Sequence, residues 1–329
     1  MWFQQILRDR LTRTPHALAL RDTRRAVSWS RLDRDARALA HRIGRHTGPG
    51  DRVVVLCSNR VEVLEALFAC ALTRTVAVPL NPALADRELD GILARTTPVY
   101  ALADPRGKTR LAVLRPALAV LDVDEVATLP GGPLAGGGGA LTDPVMILHT
   151  SATSGFPKGV IADQEYFRHQ ALSWQDEVEP EPGTVYLHTS PLCHGSIVIA
   201  VSYLAARAPV AVLDQFTPAG FLTAAEAWKV QHTFLVPTML TLLLESRQLP
   251  GSNLASLSLV MHGGAPCPPE LAAQARKTLR AGLRTVFGIT EGGGPVLGLG
   301  PNEGVPPAQR GLRRREGRQP VCRVRRQVR

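Results

Sequence analysis

Hydrophobic and polar positions alternate along the first hundred residues in a way that predicts strands separated by helices. The stretch 25–44 passes from a short strand-like run into a helix. Its apolar face is formed by Leu32, Ala36, Leu39, Ala40 and Ile43. Ser30 is predicted to cap this helix and Gly44 to end it.

The next segment predicts a parallel sheet. The run "GDRVVVLC" is continuously apolar after its turn residues, which is typical of a strand covered on both faces. A helical stretch and a second strand, Val76 to Leu80, follow it. Strand, helix and strand within about 30 residues form a βαβ unit, so we predict a parallel sheet.

The alternation continues through "ELDGILART" and "VYALAD" and is then expected to stop. Residues 129–144 are rich in glycine and broken by prolines, which predicts a flexible connection between two sub-sheets. A strand from Val145 to Leu148, a loop, a helix around Tyr166 to Trp174 and further α/β units to about Gly300 follow. The pattern predicts a layered α/β protein with more than one sheet.

Composition and charge narrow the class of protein. Hydrophobic residues make up 45% of the chain and charged residues 20%. Disordered proteins have fewer apolar and more charged residues, so this composition indicates a folded protein. The net charge is +10, but residues 310–329 hold nine Arg and one Glu and so carry +8 of it. Because the remaining residues carry only +2, we predict no nucleic-acid partner for the folded part.

Cysteine usage and hydropathy indicate the cellular compartment of the protein and whether it crosses a membrane. The five cysteines are scattered without a C-x-x-C pair, which favours a reduced, cytoplasmic protein. The longest apolar candidate, Ile197 to Leu213, is interrupted by Arg207 and Pro209. We therefore predict no membrane span.

The loop "HTSATSGFPKGV" (149–160) places one lysine among small hydroxyl residues and glycine. Glycine lets backbone amides approach a phosphate, hydroxyls donate hydrogen bonds and the ammonium neutralises charge. The spacing does not match a Walker A loop. A solvated turn with a surface lysine is the alternative interpretation of this loop taken alone.

Four motifs occur in the order of one family. "TSATSGFPKG" resembles the "TSGTTGxPKG" signature, and "SPLCHGS" (190–196) resembles "PxxHxxG". "HGGAPCPPEL" (262–271) is similar to "GGAPL", and "VFGITEGGG" (286–294) to "YGxTE". Together they resemble the adenylate-forming (AMP-binding) superfamily, of the acyl-CoA synthetase and aryl-CoA ligase type. The resemblance implies an α/β fold of layered sub-domains with mostly parallel sheets flanked by helices and an incomplete β-barrel portion.

The resemblance also implies roles for individual residues. The loop around the ATP phosphates would comprise Thr150, Ser151, Thr153, Ser154, Gly155 and Lys158. The nucleotide pocket would be lined by Gly263, Gly264, Ala265, Phe287 and Gly288, with Phe287 stacking on adenine in place of the usual tyrosine. Thr290 would contact the α phosphate, and Glu291 would hold Mg²⁺.

Substrate residues are implied less directly. The acid pocket would be formed by Cys193, His194, Gly195, Val236, Pro237 and Ala265, which could equally be core residues. His194 is expected near the substrate carboxylate, with an ordinary structural histidine as the alternative. "SPLCHGS" contains no acidic residue to hold an amine, so an acid without an α-amino group is favoured.

The implied reaction is ATP-dependent activation of a carboxylic acid to an acyl-adenylate, followed by transfer to a thiol, with ATP, Mg²⁺ and coenzyme A taking part. We expect residues 1–309 to form the large amino-terminal domain and 310–329 an Arg-rich tail. Our hypothesis for the tail is a shifted reading frame, with the carboxy-terminal lid domain absent. A catalytically weak or inactive remnant that binds ATP or AMP is therefore the alternative function.

Overall fold

The computed structural model describes residues 1–132, 139–150 and 157–299. The strands of these residues are β1 (Leu18–Arg21), β2 (Ala26–Ser28), β3 (Arg52–Leu56), β4 (Val76–Leu80), β5 (Tyr100–Ala103), β6 (Ala119–Asp122), β7 (Pro144–Thr150), β8 (Lys158–Asp163), β9 (Tyr186–His188), β10 (Val210–Val212), β11 (His232–Leu235), β12 (Leu259–His262), β13 (Gly282–Ile289) and β14 (Gly293–Leu299). The α-helices are α1 (Trp2–Arg13), α2 (Trp29–Gly44), α3 (Val61–Thr73), α4 (Asp86–Thr96), α5 (Pro105–Leu114), α6 (Gln164–Val178), α7 (Ile197–Ala205), α8 (Pro218–Ala227), α9 (Pro237–Leu244) and α10 (Pro269–Leu279).

The strands form two sheets, which confirms the predicted layered α/β class. One sheet has the order β6-β5-β3-β4-β7-β8, and only its edge pair β7–β8 is antiparallel. The other has the order β14-β13-β12-β11-β9-β10-β1-β2, with antiparallel pairs at its two edges. Helices cover these sheets because their parallel strands are apolar on both faces.

Three local expectations are wrong. The alternation does not stop after β5, because α5 and β6 add one more unit; Asp104 caps α5 by accepting from the amide of Gly107. Ser28, not Ser30, caps α2, since it ends β2 in extended conformation and accepts from the amide of Arg31. Lys158 does not lie within the loop but begins β8, opposite Thr150.

The glycine-rich stretch 129–144, of which residues 133–138 lie outside those described, does not divide the two sheets. Strands β7 and β8 follow it and join the same sheet as β3 to β6, whereas β1 and β2 precede it and join the other sheet. The amino-terminal segment therefore crosses into the second sheet, where β1 pairs in parallel with β10.

A buried group of charges holds α2 and α3 together. The guanidinium of Arg25 lies 3.1 Å from a carboxylate oxygen of Asp35, 2.8 Å from one of Glu62 and 2.5 Å from one of Glu65. Burial raises the pKa of Glu65 to about 8, and the charge of Arg25 opposes that rise. Removing one partner from such a group leaves an uncompensated buried charge, which typically costs about 3–5 kcal/mol.

Burial also lowers the pKa of several imidazoles. The pKa falls to about 3 for His188 and to about 4 for His149, His232 and His262. These side chains are neutral at pH 7 in the folded protein. Below pH 6.5 the unfolded chain binds protons that the folded protein does not, so stability is lost as the pH falls towards these lowered pKa values.

We expect His188→Gln to weaken this acid dependence. His188 is fully buried in β9, so its share of the stability lost between pH 7 and pH 5 is about 2 kcal/mol. Urea unfolding at the two pH values should show a smaller loss in the variant than in the wild type. The exposed His16 provides the substitution control, and His16→Gln is unfolded in parallel. An equal loss of stability in the His188 variant and the wild type would contradict a lowered pKa of His188.

Candidate active site

A cavity of about 360 Å³ lies where strands of the larger sheet end. The loops after β9, β11 and β12 and the last residues of β13 surround it, together with α6, α7 and α9. It is lined by Tyr166, Trp174, Ser190, Pro191, His194, Gly195, Ser196, Val198, Ile199, Phe234, Val236, Met239, Gly264, Val286, Gly288, Ile289, Thr290 and Pro295. Ligands of open α/β sheets bind at the carboxyl ends of the strands. This cavity lies at that edge of the larger sheet.

Helix α6 forms one wall of the cavity. Asp163, the last residue of β8, accepts from the amide of Tyr166 at 2.7 Å and so caps the helix where the strand ends. The hydroxyl of Tyr166 donates to the backbone oxygen of Thr290 at 2.9 Å. This hydrogen bond holds the end of β13 against the first turn of α6.

The loop before α7 is held by Asn59, which follows β3 of the other sheet. Its buried amide donates to the backbone oxygens of Ser190 and Leu213 at 2.7 and 3.2 Å, and its oxygen accepts from the amide of Leu192 at 2.8 Å. The Thr189 hydroxyl also donates to the oxygen of Phe234 at 2.7 Å. The segment carrying His194 and Gly195 therefore leaves the sheet in a fixed direction.

Three glycines lie beside the cavity, and each has a different local surrounding. A Cβ at Gly263 would lie 2.1 Å from the backbone oxygen of Val286, so no side chain fits there. Gly264 has a φ of +79°, a conformation that favours glycine. A Cβ at Gly195 would lie 3.3 Å from the hydroxyl oxygen of Thr290.

The predicted nucleotide residues divide between the cavity and the surface. Gly264, Gly288 and Thr290 line the cavity. Phe287 is 54% exposed, because its side chain projects to the face of β13 opposite Val286. The predicted Mg²⁺ ligand, Glu291, is exposed and directly follows Thr290, and Ala265 is exposed outside the cavity.

The predicted phosphate loop is seen only at its ends. Thr150 and Lys158 are paired across the β7–β8 ladder, and Lys158 is exposed. Ser151, Thr153, Ser154 and Gly155 lie outside the described residues. Their assignment stays a prediction.

The predicted acid-pocket residues are also divided. His194, Gly195 and Val236 line the cavity, whereas Pro237 is buried at the start of α9 without lining it. Cys193 lines a second cavity of about 230 Å³, whose wall includes His149, Thr150 and Pro157. His194 lines both cavities, and burial lowers its pKa. Burial raises the pKa of the Cys193 thiol to about 12, so this cysteine is not a thiolate at neutral pH.

The sequence motifs did not reveal the contribution of α6. Tyr166 and Trp174 are separated by eight residues and so lie on nearby parts of one helix face. That spacing was the available signal, but it is also typical of ordinary core residues. Asn59 gave no signal, because its three partners come from distant parts of the chain.

The chain is similar to known proteins over most of its length. The family model described as AMP-binding enzyme matches residues 7–320. A feruloyl-CoA synthase of Amycolatopsis sp. is 31% identical over 300 residues, covering 87% of this chain and 59% of that protein. The chain therefore spans less than two thirds of that relative's length.

Solved structures show the same fold. The inhibitor-bound N-terminal domain of FACL13 from Mycobacterium tuberculosis superposes with a TM-score of 0.84 at 20% identity, covering 91% of this chain and 78% of that one. The o-succinylbenzoate CoA synthetase (MenE) from Bacillus subtilis, in complex with the acyl-adenylate intermediate OSB-AMP, gives 0.81 at 24% identity, covering 90% and 60%. These superpositions show that the chain has the α/β fold of those domains. The chain belongs to the AMP-binding enzyme family.

The close approach at Gly263 gives a test of the site's geometry. We expect Gly263→Ala to lower the free energy of unfolding by about 2 kcal/mol, because the added Cβ would force β13 away from the loop after β12. Gly251→Ala is the matched control, since a Cβ there meets nothing within 4 Å. Urea unfolding measures both variants. Equal stability of Gly263→Ala and the wild type would show that the backbones are not in contact.

Proposed function

We propose that the protein activates a small carboxylic acid with ATP and transfers the acyl group to the thiol of coenzyme A. The observation that carries the proposal is the mostly apolar cavity whose lining includes Thr290, Gly264 and His194. An acid can place its body in that cavity and its carboxylate beside the residues proposed to hold the nucleotide. Membership of the AMP-binding enzyme family and the relative named feruloyl-CoA synthase support the same reaction.

The first step forms the acyl-adenylate. A carboxylate oxygen attacks the α phosphorus of ATP, a new oxygen–phosphorus bond forms and the bond from the α phosphorus to the bridging oxygen breaks, releasing pyrophosphate. In the second step the thiol sulfur attacks the acyl carbon, loses its proton and displaces AMP. Positioning and charge neutralisation supply most of the acceleration in such reactions.

The nucleotide residues have separate proposed tasks. Thr150 and Lys158, with Ser151, Thr153, Ser154 and Gly155 between them, would bind the β and γ phosphates. The backbone at Gly263 and Gly264 would lie against the nucleoside. At Gly263 the space of a side chain is taken by the backbone oxygen of Val286, which keeps this loop against the end of β13. Ala265 and the exposed ring of Phe287 would contact adenine.

Glu291 is suited to bind a magnesium ion whose other ligands are phosphate oxygens of ATP. Mg²⁺ in nucleotide sites is usually bound by one or two carboxylates together with phosphate oxygens, and Glu291 is an exposed carboxylate beside Thr290. When bound, Mg²⁺ would neutralise phosphate charge. The hydroxyl of Thr290 would donate to the α phosphate, held in place by the Tyr166 hydrogen bond to its backbone.

The cavity wall favours a particular kind of acid. The lining residues in the described part of the chain include no Asp, Glu, Lys or Arg, and most are apolar or aromatic. An α-amino group or a second carboxylate would enter without a charged partner, at a high desolvation cost. We therefore propose a monocarboxylic acid with an apolar body.

We also propose a cytoplasmic location. The described cysteines, Cys57, Cys70, Cys193 and Cys267, have free thiols, which is usual in reducing compartments. Among the described residues, every helix is too short or too polar to cross a membrane.

Carboxylate-dependent exchange of labelled pyrophosphate into ATP tests the first half-reaction. We expect exchange with monocarboxylic acids of apolar body, and a loss of at least about a hundredfold in kcat/KM for Lys158→Ala and Glu291→Gln, because each removes charge stabilisation at the phosphates. The exposed Lys277→Ala and Glu181→Gln are matched controls and should keep wild-type exchange.

Two outcomes would count against the proposal. Absence of exchange with every acid, in protein shown to be folded by circular dichroism, would overturn adenylation. Nucleotide binding without exchange would favour the binding-only alternative. Unchanged exchange in Glu291→Gln would remove that residue from the proposed metal site.

A further inference from the structure

We propose that Trp174 closes the far end of the cavity and so limits the length of the acid, giving selectivity for compact acids such as those with one aromatic ring or a short branched chain. This inference rests on the proposed function, because it takes the cavity to be the acid site. It assigns substrate length to a single side chain of α6.

The two aromatic residues of α6 define the direction of the cavity. Tyr166 marks the end at which the reaction is proposed, since its hydroxyl bonds to the backbone oxygen of Thr290 at 2.9 Å. Trp174 lies eight residues later on the same helix and also lines the cavity. Eight residues correspond to about 12 Å along the helix axis, so the cavity runs along α6 for roughly that distance.

An ion pair follows Trp174 along α6. Glu177, three residues further along α6, forms an ion pair at 2.9 Å with Arg284 of β13. Arg284 also donates to the backbone oxygen of Glu177. Arg284 lies on the same face of β13 as Val286, a cavity residue two positions later. The ion pair therefore joins α6 and β13, which both line the cavity, three residues beyond Trp174 along the helix.

The described lining residues contributed by three other elements have smaller side chains than Trp174. Val198 and Ile199 of α7, Phe234 of β11 and Met239 of α9 line the cavity from the flanks. Trp174 is 5% exposed and has the largest side chain of the lining residues. With a volume of about 360 Å³, the cavity lies near the lower end of the usual range for ligand pockets, about 300 to 1,000 Å³.

The test compares acid length in the wild type and in Trp174→Ala. Dissociation constants are measured by calorimetry, and kcat/KM by pyrophosphate exchange, for benzoic and phenylpropanoic acids and for straight-chain acids from hexanoic to tetradecanoic. We expect the wild type to prefer the short acids. Trp174→Ala should raise the preference for dodecanoic over hexanoic acid at least about tenfold, as expected when several methylenes gain room.

The conservative variant Trp174→Phe keeps the test decisive if Trp174→Ala does not fold. The indole N–H is buried and has no hydrogen-bond partner among the described residues, so its removal breaks no such bond. We expect a smaller shift in the same direction. Trp228→Phe is the matched control: Trp228 lies outside the cavity lining, stacked against Arg21 at 4.8 Å, and its variant should keep the wild-type profile.

Each result decides the inference. An unchanged length profile in folded Trp174→Ala or Trp174→Phe would overturn it, as would a wild type that binds tetradecanoic acid as tightly as hexanoic acid. If the acids bind with the expected length dependence but support no exchange, the role of Trp174 holds and the proposed adenylation fails. If no acid binds, both fail.

Discussion

The contact between the backbones at Gly263 and Val286 is the constraint on which the site depends. Strands β12 and β13 pair in parallel from Leu259–Gly282 to His262–Thr285, and the His262 imidazole lies 2.9 Å from the Thr285 hydroxyl. The chain leaves β12 directly over β13, where any side chain at position 263 would meet the oxygen of Val286. This packing places the loop after β12 and the end of β13 on the same edge of the sheet.

A second constraint joins the two sheets at that edge. Asp163 ends β8 of the smaller sheet and caps α6, whose Tyr166 then bonds to the end of β13 in the larger sheet. Asn59, after β3 of the smaller sheet, bonds to the loops after β9 and β10 of the larger one. The site is therefore assembled from both sheets. Residues that follow strands of the smaller sheet hold the loops and the end of β13 in the larger sheet.

The sequence allowed much of the fold to be predicted. The apolar run at β3 and the strand Val76–Leu80 were recognised because parallel strands buried on both faces contain few polar interruptions. The unit formed by α5 and β6 was missed, since α5 buries only Gly107 and Leu111 and so has a weak apolar pattern. The crossing of β1 into the second sheet was also missed, because its pairing with β10 joins residues nearly two hundred positions apart.

The residues of the cavity were predictable where they belong to short motifs and were not predictable where packing shapes the cavity. Gly264 and Thr290 belong to short motifs whose spacing is visible in the sequence, and the structure places both at the cavity. Trp174 and Met239 resemble any buried apolar residues until α6 and α9 are placed around the strand ends. The loops after the strands present most of the polar groups of the cavity, such as Ser190, His194 and Thr290, whereas helix faces contribute apolar wall residues. Substitutions on α6 can therefore change the shape of the cavity without altering the polar groups at the strand ends, so the shape of the cavity is harder to infer from sequence than the place of the motifs.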